Sequence, residues 1–253
     1  MFGRFGDAAA MVRRIVESAL AAAAALALSP VLLVAAIGVR LSSRGPIFYR
    51  ASRVGLGGMS FQMYKLRTMH CDAAGPASRI TAAGDPRIFA FGSLLRRLKL
   101  DELPQLLNII RGEMAFVGPR PEDPFIVANH YTPEQMETLR VRPGLASPGT
   151  LYYYTRAEKC VDPGDPEGSY ARHILPVKLA LDLVYVREAS LLYDLRIALE
   201  TLWALVSILC GKTAFRDRPE MRKIQPSARS AAPSEMRGPI SPGEAPAPTS
   251  AAD

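Results

Sequence analysis

The longest apolar stretch in the chain, "ALAAAAALALSPVLLVAAIGVR", occupies residues 19–40. About 20 consecutive apolar residues suffice to cross a bilayer core. Ser29 and Pro30 interrupt the run, and arginines flank it on both sides: Arg4, Arg13 and Arg14 before, Arg40, Arg44, Arg50 and Arg53 after. Arginines favour the cytoplasmic side of a membrane. Both flanks therefore ask for the same side, which a hairpin satisfies and a straight span does not. Pro30 supplies a break, because it cannot donate to the preceding turn and its ring clashes with it. The Ser29 hydroxyl is placed to bond a backbone group freed there. Two arrangements stay open on these features: a single kinked span, and a re-entrant hairpin turning at Ser29–Pro30. The run exceeds the length of a signal-peptide core and no persuasive cleavage site follows, so the segment is expected to be retained.

Beyond the run the period changes. In "GPIFYRASRVGLGGMSFQMYKLRTM", residues 45–69, Ile47, Tyr49, Phe61, Met63 and Leu66 sit among polar neighbours, and "GLGG" at 55–58 is a turn signal. This predicts a β-hairpin. No helix opens behind those glycines, so they are not a nucleotide-binding fingerprint. Residues 71–86 read as a loop. Helical patterning returns at 91–98 and 102–110, with Gly112 as C-cap. "AFVGPRPEDP" reads as a stiff connector, 133–139 as a helix and "VRPGLASPGTLYYYT" as turn-rich. Two more helices are predicted at 170–187 and 191–209. The last is strongly apolar and contains Trp203; it is either a core helix or a helix in the membrane interface with Trp203 at headgroup level. From about Pro219 the composition turns to Pro, Ser, Ala and Gly, which predicts disorder. The pattern gives an α+β, mostly helical protein: an N-terminal segment 1–40 with the membrane helix, a unit 41–215 of β-hairpin and packed helices, and a tail 216–253. No internal repeat is visible.

Charge narrows the partners. The 253 residues bear a net charge of +7, with a pI of about 9.5. This suits phosphate-bearing partners: a nucleic acid, an anionic lipid surface or a phosphorylated substrate. Cys71, Cys160 and Cys210 are too few and too far apart for a disulfide framework or thiolate metal site. His70, His130 and His173 lack ligand spacing. The nucleic-acid reading is the weakest, since interleaved cations and stacking aromatics are not evident and a membrane segment is present.

Three stretches offer chemistry. In "LKLDELPQLLNI", Asp101 and Glu102 precede Pro104, a residue favoured in a first helical turn. They stand near a helix N-terminus, where anions are favoured, about 100° apart around the axis. They are either a catalytic pair with different duties, or an Asp cap with a Glu complementing the dipole. In "GPRPE", Pro119 and Pro121 fix the backbone around Arg120, whose guanidinium suits bidentate phosphate recognition or lies solvated on a connector. In "YKLRTM", Lys65 and Arg67 share a strand face, as a phosphate patch or an ordinary polar face.

Together these stretches resemble the bacterial sugar transferase family, the monotopic phosphoglycosyl transferases, over about residues 13–215. The resemblance rests on "LSPVLL", "GPIFYRASRVG", "MYKLRTM", "LLRRLKLDELPQLLNIIRGEMAFVGPRPE" and "VRPG". It implies transfer of a sugar phosphate from a UDP-sugar to polyprenyl phosphate with release of UMP, as the first membrane step of surface-glycan assembly. It implies a re-entrant helix broken at Ser29–Pro30, and a cytoplasmic catalytic domain on the bacterial inner membrane. It maps the family's Asp-Glu dyad onto Asp101 and Glu102, and its Pro-Arg-Pro motif onto Pro119, Arg120 and Pro121. By the same resemblance Asp101 is the nucleophile that forms an aspartyl-phosphosugar, and Glu102 helps hold Mg²⁺. Lys65, Arg96 and Arg120 become candidates for phosphate contacts, and Asp182 a candidate for the metal or substrate site. Membrane lipids and downstream glycosyltransferases join the implied partners.

One segment departs from the family pattern. After "VRPG" the family usually continues like "ITGLAQV", whereas this chain reads "LASPGTLYYYT" from Leu145 to Thr155. The dyad is untouched; recognition of sugar or uridine near that segment is what the departure concerns, and no site residue is taken from it. The alternatives are a lipid-linked glycosyltransferase releasing UDP, and a non-catalytic scaffold for glycan assembly.

Overall fold

The computed structural model describes residues 3–71, 78–82, 84–212 and 214–232. The N-terminal run forms two helices, α1 (Gly3–Ala27) and α2 (Ser29–Ser42), meeting at a bend of 61°. Pro30 stands in the first turn of α2, where a missing N–H costs nothing. The Ser29 hydroxyl donates to the Leu26 carbonyl at 2.7 Å, occupying an acceptor freed by the break. Among the described residues no single helix is long and apolar enough to cross a membrane, whereas the bent pair together meets that length and composition. One stripe of the pair packs inward. Ala21 meets Met63, Leu106 and Ile109, and Ala35 and Val39 meet Leu66, Phe89 and Leu95. A Cβ at Gly38 would lie 2.3 Å from the Phe91 ring, so the glycine is what admits that ring against α2. Leu20, Leu26, Leu33, Val34 and Leu41 stay exposed.

The predicted hairpin is present as β1 (Phe48–Val54) and β2 (Ser60–Leu66), antiparallel with Ala51 opposite Met63. Its turn uses positive φ at Gly57 and Gly58, which only glycine adopts freely. Next come α3 (Ala90–Arg97), a 3₁₀ helix Leu100–Gln105 and α4 (Leu106–Arg111). Gly112 closes α4 with φ of 77°, the left-handed cap expected from the sequence. β3 (Ala115–Val117) and β4 (Gly144–Ala146) pair in parallel. Between them lie α5 (Pro124–His130) and a 3₁₀ stretch Gln135–Arg140. α6 (Pro148–Thr155) and α7 (Pro166–Ser169) lead through a π turn at Tyr170–Ile174 into α8 (Leu175–Glu188), followed by α9 (Leu191–Leu209) and α10 (Pro226–Ser230). The largest core gathers around α8: Leu175, Val177, Leu179 and Leu181 pack with Ile126, Tyr152 and Ile174.

Four readings differ from the observed fold. The stiff connector and the turn-rich segment each contain a strand. Three-residue strands are too short to show alternation, and they pair because glycines let backbones meet: a Cβ at Gly144 would lie 2.2 Å from the Gly118 nitrogen. The rest of the turn-rich segment is α6, started by Ser147, whose hydroxyl accepts from the Thr150 N–H at 2.9 Å, with Pro148 in the first turn. The helix expected at 133–139 is a 3₁₀ stretch, while α5 forms earlier, capped by Asp123. The disorder expected from residue 216 does not extend through residues 219–232. Ile224 and Ala232 join the core, and Glu220 is drawn in by Tyr193 and Arg196 at 2.9 and 2.5 Å. Residues 233–253 lie outside the described residues.

Candidate active site

The site starts at an awkward residue. Lys99 has φ of 55°, the one positive value outside glycine among the described residues. It turns the chain from α3 into the 3₁₀ helix, so Asp101 and Glu102 stand in the first turn of that helix. Neighbouring carboxylates there meet opposite surroundings. Asp101 is 5 % exposed and its Oδ1 has no hydrogen-bond partner. Burial, and then Glu102, push its carboxyl up, against the pull of Lys65, Arg96 and Lys99. Glu102 is saturated instead. Arg120 donates Nη1 to Oε2 at 3.0 Å and Nη2 to Oε1 at 2.5 Å. The Tyr154 hydroxyl donates to Oε1 at 3.1 Å, and Lys65 reaches the same oxygen at 3.4 Å. Burial raises the Glu102 carboxyl, but Arg120 and Lys65 override it and hold the group well below the usual carboxylate range. Burial and Arg120 together lower the Lys65 ammonium, with Glu102 opposing.

Arg120 is presented by the strand pair. The Gly118 N–H donates to the Ala146 carbonyl at 2.9 Å, and the Gly144 N–H to the Pro119 carbonyl at 3.0 Å, so the Pro119–Pro121 segment prolongs the β3–β4 ladder. Behind it, Glu122 accepts from buried Lys178 of α8 and from the Tyr170 hydroxyl. These groups border a cleft of about 620 Å³, whose lining includes Lys65, Arg96, Asp101, Glu102, Arg120 and Tyr154. Arg96 donates to the Thr68 hydroxyl at 2.8 Å and has no carboxylate in ion-pair contact among the described residues.

The structure thus brings together Lys65, Arg96, Asp101, Glu102 and Arg120, gathered from the hairpin, α3, the 3₁₀ helix and the segment after β3. Arg67, the other cation of "YKLRTM", turns away and binds Ser43 and the Pro46 carbonyl. Asp182 is set apart. It is fully buried in α8, does not line the cleft, and accepts from the Gly149 N–H at 2.9 Å at the start of α6. Burial pushes its carboxyl up to about 6, against Lys178, Ser147 and Gly149. Sequence reasoning missed Tyr154, Lys178 and the turn residue Lys99. Three consecutive tyrosines carried no motif signal, and a lysine in an apolar helix gives no hint of a buried partner 56 residues away.

The carboxylates of Asp101 and Glu102 are the hard oxygen donors of the cleft, and a divalent cation held there would have to take a Glu102 oxygen from Arg120 or Lys65. Asp101 offers an unclaimed buried oxygen beside the Glu102 carboxylate. No group of three or more His, Cys, Asp or Glu positioned for a metal occurs among the described residues. Two carboxylates alone would leave the shell of such an ion to substrate phosphates and water, a pattern that Mg²⁺ tolerates.

A family model described as bacterial sugar transferase matches residues 8–208. A UDP-glucose:undecaprenyl-phosphate glucose-1-phosphate transferase of Caulobacter vibrioides is 36 % identical over 77 % of this chain and 70 % of its own length. A protein of the same name from Xanthomonas campestris is 37 % identical over 79 % of this chain, which spans only 39 % of that relative. The exopolysaccharide production protein ExoY of Sinorhizobium fredii is 38 % identical over 76 % of this chain and 84 % of its own. The matched region runs from α1 to the end of α9 and contains the dyad, its cations and the Pro-Arg-Pro segment, and on that footing the chain belongs to the bacterial sugar transferase family.

Proposed function

We propose that the protein transfers a sugar phosphate from a UDP-sugar to a polyprenyl phosphate, undecaprenyl phosphate in bacteria, and releases UMP. The observation that carries this reading is the division of labour in the dyad: Asp101 keeps a buried, unclaimed carboxylate oxygen while Glu102 is clamped by cations. Asp101 forms a bond to the sugar-bearing phosphorus, the bond from that phosphorus to the bridging oxygen breaks, and UMP leaves with the electron pair. An oxygen of the acceptor phosphate then attacks the aspartyl-phosphosugar and frees the Asp101 carboxylate, giving polyprenyl-diphosphate-sugar. A carboxylate nucleophile splits one hard displacement into two and predicts ping-pong kinetics.

The cations offset the repulsion between an anionic nucleophile and a diphosphate. Arg120 and Lys65 now lie on Glu102, and phosphate oxygens offer them the same kind of acceptor. Arg96 needs to give up only a hydroxyl contact. Mg²⁺ bound by Glu102 with the substrate phosphates would neutralise charge at the diphosphate. Asp182, buried off the cleft lining, is given no role in this reading; it accepts from the Gly149 N–H at the start of α6.

The exposed apolar side chains of α1 and α2, bent at Ser29–Pro30, support a re-entrant attachment to the inner membrane, with the cleft on the cytoplasmic side. The ion pair Arg13–Asp194, 2.8 Å, ties α1 to α9, whose exposed leucines and Trp203 extend that surface. The acceptor phosphate then stays at headgroup level while its prenyl chain remains in lipid. The product is a substrate for downstream glycosyltransferases.

The test is the leaving nucleotide. Protein in membranes is given Mg²⁺, undecaprenyl phosphate and a panel of UDP-sugars, and UMP is assayed against UDP. UMP release that falls by on the order of 10³-fold or more in Asp101→Asn supports the covalent route. UDP release identifies a glycosyltransferase instead. UMP release indifferent to Asp101→Asn removes the covalent intermediate.

A further inference from the structure

We propose that Tyr154 positions the Asp101–Glu102 turn during catalysis, acting from both ends of its side chain; the role rests on the transfer reaction proposed above. Tyr154 belongs to α6, in the segment where the chain departs from the family pattern.

The hydroxyl end acts on Glu102. Oε1 of Glu102 receives three donors: Arg120 at 2.5 Å, Tyr154 at 3.1 Å and Lys65 at 3.4 Å. Two of them are cations that an incoming diphosphate attracts. The phenol is neutral and has no such competitor. When Arg120 and Lys65 turn to phosphate oxygens, the Tyr154 hydrogen bond is the contact that keeps Glu102 in place.

The ring end acts on the backbone turn. The Lys99 ammonium sits 3.7 Å from the ring centroid, and the Arg120 guanidinium carbon 5.6 Å from it. Lys99 is two residues before Asp101 and holds the left-handed conformation that aims the dyad into the cleft. A cation over an aromatic face is attracted by the ring's electron density, which helps retain a strained backbone residue. Tyr154 is itself held on a helix rather than a loop. α6 is capped by Ser147 and pinned at Gly149 by Asp182, while Tyr153 packs 6.0 Å from Tyr154 and 6.2 Å from Tyr170. Two features thus converge on one side chain, and neither requires Tyr154 to touch substrate.

The experiment separates the two ends and separates this role from the reaction itself. Steady-state and single-turnover UMP release are measured for wild type, Tyr154→Phe and Tyr154→Leu, with Tm recorded for each. Tyr154→Phe keeps the ring and removes the hydroxyl. It is expected to lower kcat and the single-turnover rate by about tenfold or more, the scale of one hydrogen bond to a charged group. KM for the UDP-sugar should stay within about twofold, and Tm should hold. Tyr154→Leu also removes the platform under Lys99, and should lower kcat further and raise KM several-fold. Wild-type kcat in Tyr154→Phe overturns the hydroxyl's role. A kcat loss that follows Tm loss, with KM moving equally, makes Tyr154 merely structural and overturns the proposal. A wild-type protein that releases no UMP overturns the parent reaction, and the positioning role with it, an outcome recognisable before any variant is read.

Discussion

α8 and α9 are consecutive helices with inverted fates. α8 carries four charged residues in fourteen, Lys178, Asp182, Arg187 and Glu188, yet eight of its residues are buried, Lys178 and Asp182 among them. α9 carries three in nineteen, and only Ile197 and Ala204 are buried. Leu191 and Leu192 are 74 % and 78 % exposed, and Trp203 is 56 % exposed. Apolar content therefore does not decide burial here. α8 can bury its two ionisable side chains because each has partners: Glu122 and Tyr170 for Lys178, the α6 backbone for Asp182. Buried ions persist when paired and hydrogen-bonded. α9 leaves an apolar face without protein cover, which fits the proposed bilayer contact.

The comparison breaks most visibly at Lys178. Lys178→Met leaves Glu122 buried beside Tyr170 without its counter-ion, and should cost about 3–5 kcal/mol of stability, read from denaturant or thermal unfolding in detergent. A loss below about 1 kcal/mol would mean that the pair does not hold α8 in place. Next, Leu181→Ala on α8 should cost about 2–5 kcal/mol, since Leu181 is fully buried.

Asp182 gives the third test, through pH. Its carboxyl is raised in the fold from 3.8 to about 6. Between those values the folded state holds a proton that the unfolded chain has released. Stability therefore falls as pH rises through this window and levels off above it, by about 3 kcal/mol in total. Asp182→Asn has nothing to ionise, so the difference between wild-type and variant stability curves should show that slope between about pH 4 and 6. A flat difference curve would mean that Asp182 titrates normally. The smallest effect belongs to α9: Leu199→Ala, at 59 % exposure, should change stability in detergent by no more than about 0.5 kcal/mol. The same change should weaken binding to anionic vesicles, measured by flotation. A large stability loss would show that protein, not lipid, covers that face.

Much of this was legible in the chain because the signals were local. The Ser29–Pro30 break, the hairpin turning at Gly55–Gly58, the Gly112 cap and the bounds of α9 follow from backbone preferences of a few adjacent residues. Asp101, Glu102 and Arg120 were legible as motifs, and the fold brings them together with Lys65 and Arg96. The three-residue strands were not legible, because their pairing depends on contact between Gly118 and Gly144. The order of residues 219–232 was missed for a similar reason: composition counts apolar groups, whereas Glu220 is held by Arg196, 24 residues away, as well as by its neighbour Arg218.

The sequence by itself determined the broken apolar segment, the hairpin, the long helices, the family and the candidate carboxylate pair, since each depends on neighbours along the chain. Tertiary structure alone decided which carboxylate is free and which is clamped, that Asp182 anchors α6, and that Tyr154 reaches Glu102. Those outcomes depend on desolvation and on charges brought within hydrogen-bond reach across 18 to 52 residues of chain. Neither is encoded in the spacing of any one motif.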